Sequence, residues 1–224
     1  MKIFNLIISL FILLLSCAEK SNSHNKDVQI QEEFEGIITY KIETKSNLEG
    51  VSDKRLQEVH TGNKLVKHIK GANYYSQAIG PSGAIISESL NLDDEGISRG
   101  YLSQMDTVIT TPCDKLQGNV EILSIETGPN KTFLNYDCES IIVKFNQPDP
   151  RGAFIAQYTY YFAREFPKPK NRNQLCIDTL DSYITSMILG WEISGYPVCD
   201  QKIIPISMQR TQISDTIFKI RSGK

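Results

Sequence analysis

Apolar and polar residues alternate along most of this chain. In Phe34-Glu35-Gly36-Ile37-Ile38-Thr39-Tyr40-Lys41-Ile42-Glu43, the side chains of Ile38, Tyr40 and Ile42 fall on one side and those of Thr39, Lys41 and Glu43 on the other. That period of two predicts a half-buried strand. Turn residues then cut the chain into short runs. Gly62-Asn63 separates Arg55–His60 from Lys64–Lys70 and predicts a hairpin. Gly80-Pro81-Ser82-Gly83 separates Tyr74–Ile79 from Ala84–Leu90 and predicts a second one. Short strands follow at Ile97–Leu102, Asp106–Thr110 and Val120–Glu126. The strongest strand patterns are Glu139–Phe145 and Phe154–Phe162, and the aromatic density of the second (Tyr158, Tyr160, Tyr161, Phe162) predicts a strand packed on both faces.

After Pro167 and Pro169 the period changes. Ile177, Leu180, Ile184, Met187, Ile188 and Trp191 recur at helical spacing, with Asp178 as N-cap and Gly190 as stop, and predict one amphipathic helix over 178–189. Ile203–Arg210 and Thr216–Arg221 read as closing strands. The fold class is therefore mainly β with one late amphipathic helix. Its strands form an antiparallel meander, a barrel-like or sandwich sheet.

The N-terminus has a different pattern. Lys2 precedes an apolar run, Ile3–Leu15, too short to span a bilayer but right for a secretory leader. It ends in Leu14-Leu15-Ser16-Cys17, the order of a bacterial lipobox. On this reading residues 1–16 are a lipoprotein signal peptide, Cys17 carries the lipid, and 17–33 is a polar tether, with Ser21, Asn22, Ser23, His24 and Asn25 in it. The single β-rich domain then runs over 34–224. By resemblance to the sorting rules of lipoproteins in enteric bacteria, Ala18 after the cysteine implies an outer-membrane lipoprotein facing the periplasm, with the cell surface as the alternative. The membrane is thus the first expected partner, through the acyl anchor.

Charge and cysteines narrow the picture. With 24 basic and 26 acidic residues the net charge is −2, without the basic footprint that nucleic-acid binding needs. Setting Cys17 aside leaves Cys113, Cys138, Cys176 and Cys199. Four cysteines in an oxidising compartment allow three pairings; the intervals favour 113–138 and 176–199, each bridge stabilising by ~3 kcal/mol. The alternative is four buried thiols.

No catalytic signature stands out. His60 and His68 would face each other across the first predicted hairpin with Glu58 nearby, but two histidines flanked by Lys64, Lys67 and Lys70 read better as solvated positions. Asp93-Asp94-Glu95-Gly96 lacks the spacing of a calcium loop and reads as a turn. There is no Gly-x-Ser-x-Gly elbow, and Pro81 removes a donor that a phosphate loop would use. No cofactor and no metal are expected. Phe154, Tyr158, Tyr160, Phe162 and Trp191 are the candidate lining of an apolar cavity, the plainer alternative being core.

Two segments carry a resemblance: the opening Phe34-Glu35-Gly36-Ile37-Ile38-Thr39-Tyr40, and Lys131-Thr132-Phe133-Leu134-Asn135-Tyr136-Asp137-Cys138 leading toward the aromatic strand. Together these resemble small Bacteroidetes-type outer-membrane lipoproteins related to the LolA/LolB lipoprotein-carrier superfamily, the GLPGLI-like groups included. Asn135 stands where those relatives have glycine, and no Gly-Leu-Pro-Gly-Leu-Ile string occurs, only Gly195-Tyr196-Pro197-Val198. The resemblance implies a strongly curved antiparallel sheet, an unclosed barrel, whose apolar concavity holds acyl chains, with the 178–189 helix as its cover. It brings no catalytic residues with it. The expected function is a non-catalytic, membrane-anchored envelope lipoprotein that binds a lipid-like ligand or a lipoprotein or protein partner. A structural accessory subunit of an envelope complex and an anchored hydrolase are the alternatives.

Overall fold

A computed structural model describes residues 33–92, 95–104, 107–112, 121–148, 152–168, 178–180 and 182–218. The lipobox with Cys17, the tether with His24, Asp93, Asp94, Cys113, Pro169 and Cys176 lie outside the described residues. The described part is mainly β: one large, open, antiparallel sheet of twelve strands, not closed into a barrel. The strands are β1 (Glu35–Ser46), β2 (Lys64–Lys70), β3 (Asn73–Ile79), β4 (Ile85–Leu92), β5 (Ile97–Leu102), β6 (Thr107–Pro112), β7 (Glu121–Thr127), β8 (Lys131–Phe133), β9 (Tyr136–Gln147), β10 (Phe154–Pro167), β11 (Ser186–Ser194) and β12 (Cys199–Arg210). Their order is β6-β5-β4-β3-β2-β1-β12-β11-β10-β9-β7, with β8 paired to β9. The first and last strands meet in the middle, and β6 and β7, consecutive in sequence, form the two outer edges.

The alternation read in β1 is the alternation the fold uses: Ile38, Tyr40 and Ile42 are buried and Lys41 is exposed. The long β1–β12 ladder runs from Gly36–Arg210 to Ser46–Cys199. Gly36 is required there, because a Cβ would sit 2.1 Å from the carbonyl oxygen of Gln209. The β8–β9 turn shows why asparagine can stand at 135: Leu134 and Asn135 have φ of 51° and 68°, the two-residue geometry that glycine and asparagine adopt most readily.

Next to β12 the sheet narrows. β11 pairs with it only at Trp191–Ile203, Glu192–Lys202 and Ile193–Gln201. Just beyond, Pro205 has no N–H to offer a neighbour. The aromatic strand β10 is buried on both faces over Thr159–Ala163. Tyr161 and Ala163 join a cluster with Phe34, Tyr40, Phe133 and Leu189. Tyr160 and Phe162 join another with Val143, Phe145, Leu180 and Ile184. Each fully buried side chain of this size stabilises by about 1.5–3 kcal/mol.

Four expectations are corrected. The helix expected over 178–189 is a short 3₁₀ turn, Asp178–Leu180, followed by strand β11. Ser186 to Gly190 are all buried, and a strand buried on both faces is a continuous apolar run that periodicity cannot tell from a buried helix. Arg55–His60 is not a strand. Ser52 caps a short helix, α1 (Asp53–Leu56), its hydroxyl accepting from the Arg55 N–H at 3.3 Å, and a π-helical turn, Gln57–Thr61, leads to Gly62 at φ 72°. α1 is the single α-helix among the described residues, and it is early, not late. At the C-terminus, Asp215–Ile217 is a 3₁₀ turn capped by Ser214 and not part of a strand; 219–224 lie outside the described residues. Finally, Cys138 and Cys199 are buried free thiols, so the bridges 113–138 and 176–199 are not formed. Cys138 Sγ is packed in the first cluster and points to the Tyr136 carbonyl at 3.7 Å; burial, with Glu165 and Asp137 nearby, pushes its thiol up to about 11.

Candidate functional site

In a flat sheet, β2 and β10 would be four strand spacings apart, or about 19 Å. Yet side chains from both line one groove of about 300 Å³, so the sheet folds back on itself around that space. One wall comes from β10 and β11 and carries Tyr158, Tyr160, Ile188 and Trp191. The facing wall comes from β2, β3 and β4 and carries Leu65, Lys67, Tyr74, Ser76 and Ser89.

The β10–β11 wall is held by rings. Tyr158 and Tyr160 stack at 5.7 Å, Phe145 meets Tyr158 edge-on at 5.2 Å, and Tyr40 lies 5.5 Å from Trp191. The Tyr158 and Tyr196 hydroxyls lie 2.9 Å apart; Tyr196 donates to Gln147 at 2.6 Å, which leaves Tyr158 to donate to Tyr196. Burial, and then this hydrogen bond, pushes the Tyr158 phenol far above its ordinary value, and burial does the same to Tyr160. Both stay neutral. The Tyr158 hydroxyl is thus an anchor rather than an acid.

The opposite wall carries more polar groups. Ser76 and Ser89 are directly opposite each other on β3 and β4, their hydroxyls 2.7 Å apart. Lys67 sits on the same face of β2 as Leu65 and Ile69 and holds its ammonium 3.9 Å from the centre of the Tyr74 ring. Desolvation pushes the Lys67 ammonium down to about 8. Tyr74 moves up with burial, an effect reduced by its hydrogen bond to Asn91.

Of the five cavity candidates, Tyr158, Tyr160 and Trp191 line this groove. Phe154 does not. It lines a second hollow of about 350 Å³ with Tyr158, Tyr196 and His60, and meets Tyr196 edge-on at 5.1 Å. Phe162 lines neither; the β10–β11 register shifts between Tyr161 and Phe162, and Phe162 packs with Leu180 and Ile184. A third hollow of about 480 Å³ is lined by charge, with Glu43, Glu192, Asp200 and Lys202 in it, and does not suit an apolar ligand.

The histidines do not form a site. His60 is exposed in the π-helical turn, and Glu58 is taken by Ser82, which donates its hydroxyl at 2.9 Å. His68 lies on the other face of β2 with its ring 6.1 Å from Tyr75. Among the described residues no group of His, Cys, Asp and Glu side chains could hold a metal ion. Glu95 pairs with Arg99 at 3.5 Å. The sequence reading missed Lys67, Tyr74, Ser76 and Ser89. The available signal was parity, because in Leu65-x-Lys67-x-Ile69 the lysine shares the face of two apolar residues.

The chain matches no protein-family model, and no curated protein matches it.

Proposed function

We propose that this protein is a membrane-tethered, non-catalytic binding protein of the bacterial envelope that holds an acyl-bearing ligand in the groove of its open, curved sheet. The observation that carries this reading is the groove itself: one aromatic wall, Tyr158, Tyr160 and Trp191, borders a space of about 300 Å³ at the edge of a packed cluster. A concave site that is mostly apolar with a few polar groups is the form small-ligand sites take. The lipobox at Leu14–Cys17 supports the tether, and with Ala18 it favours the periplasmic face of the outer membrane. The resemblance to lipoprotein carriers supports both the unclosed-barrel description and the acyl ligand.

Native mass spectrometry of the full chain tests the ligand. The expected result is an adduct with the mass of an acyl-bearing molecule, either co-purified or formed on adding decanoate, and lost in Trp191→Ala. A wild-type protein that carries no adduct and takes none up contradicts the reading. Fractionation tests the tether: Cys17→Ser should move the protein from the membrane to the soluble fraction, and a variant that stays membrane-bound contradicts the anchor.

A further inference from the structure

The groove has two unlike walls, and the difference indicates the chemistry of the ligand. Lys67 brings a positive charge into a space otherwise lined by rings, aliphatic side chains and two serines. Its one neighbour in charge terms is the face of Tyr74. Among the described residues no carboxylate pairs with it, whereas Lys41, Lys70 and Lys131 each have an acidic partner within 3 Å. Beside it, one hydroxyl of the Ser76–Ser89 pair donates to the other, which leaves the accepting serine's own hydrogen to turn elsewhere. A lysine ammonium and a serine hydroxyl together are donors for an oxyanion. Opposite them, Tyr160, Ile188 and Trp191 offer an apolar surface, and the Tyr158 hydroxyl is already committed to Tyr196.

We propose that the groove binds a single-chain amphiphile with an anionic head, the oxyanion held by Lys67 and the Ser76–Ser89 pair and the chain laid along Tyr160, Ile188 and Trp191. This rests on the acyl-binding reading above and adds the head group. A cationic head would be repelled by Lys67, and a neutral one would leave the ammonium unpaired. The volume of about 300 Å³ corresponds to roughly ten water-sized groups, so a single chain of about ten carbons matches it in size. The preference should fade as pH rises past about 8, where Lys67 loses its proton. The other titratable groups facing it from the described elements are Tyr40 on β1, Tyr74 on β3, and Tyr158 and Tyr160 on β10; burial pushes all four upward and they stay neutral through that range.

Trp191 is the single tryptophan of the chain, so its emission reports the groove directly. The test titrates the full chain, carrying Cys17→Ser to remove the acyl anchor, with decanoate, methyl decanoate and decyltrimethylammonium. Decanoate is expected to bind at least tenfold more tightly than the other two at pH 7, and to lose that advantage at pH 10. Lys67→Met should weaken decanoate about tenfold and leave methyl decanoate unchanged, and Lys67→Arg should keep the preference. Equal affinities for decanoate and its ester in the wild type, or a preference that survives Lys67→Met, would overturn the head-group assignment while the groove reading stands. If none of the three compounds changes Trp191 emission, both fail.

Discussion

The two walls of the groove are built by opposite means. The β10–β11 wall is a thin aromatic surface continuous with a buried apolar cluster. Behind Tyr158, Tyr160 and Trp191 stand Phe145, Phe162, Leu180 and Ile184, and β10 is buried on both faces. The β2–β4 wall presents Lys67, Ser76 and Ser89, and its order comes from ladder pairing and from one serine–serine hydrogen bond. One wall owes its shape to apolar burial and the other to the backbone. The same contrast separates what each can do: the first offers area without direction, the second offers a charge and a hydroxyl at fixed places.

If that contrast is right, substitutions on the two sides should differ in size as well as kind. Phe162→Ala, behind the aromatic wall, should lower stability by about 3–5 kcal/mol, since it removes a large buried ring and leaves a cavity; urea unfolding measures it, and a loss below about 1 kcal/mol would mean that the wall does not depend on this packing. Ser76→Ala should cost about 1 kcal/mol by leaving the Ser89 hydroxyl without its partner, while Ser76→Ala with Ser89→Ala together should cost less than the single change. A double variant worse than either single one would show that the serines support the wall in some other way.

The contrast also predicts a pH dependence. The Lys67 pKa in the folded chain, about 8, lies below its ordinary 10.5. Between these values the unfolded chain binds more protons than the folded one, so stability from this residue rises with pH across about 8 to 10.5 and is flat below 8. Lys67→Met should therefore show a shallower rise than the wild type over pH 8–10 in matched unfolding curves. Curves that stay parallel would mean that the ammonium is not desolvated.

The sequence disclosed the two walls unequally, for the same physical reason. Aromatic residues at alternate positions of a strand stand out, so Tyr158 and Tyr160 were legible as lining, and Trp191 with them. Phe162 has the same parity and shares a cluster with Tyr160, but further along β10 it is covered by Leu180 and Ile184, which alternation cannot foresee. A register shift near Leu123 brings Ile122 and Ile125 against one cluster, although strict alternation puts them on opposite faces. The polar wall was harder to read because serine and lysine are ordinary surface residues: parity with Leu65 and Ile69 marks Lys67, but only the folded sheet sets Ser76 against Ser89 beside it. The β3–β4 hairpin was legible from the turn at Gly80–Gly83, whereas the meeting of β1 with β12 and the strand β11 were not. Its run Ser186–Gly190 is buried on both faces, which erases the alternation that marks a strand.

The most direct measurement of the central claim is contact quenching of Trp191 by an acyl chain that carries bromine near its end. Bromine quenches tryptophan only at close range, and no second tryptophan is present to confuse the signal. Saturable quenching by the brominated acid, competed away by plain decanoate and weakened by Tyr160→Ala, is the result this account predicts. Emission from Trp191 that no concentration of the brominated acid quenches saturably would contradict it.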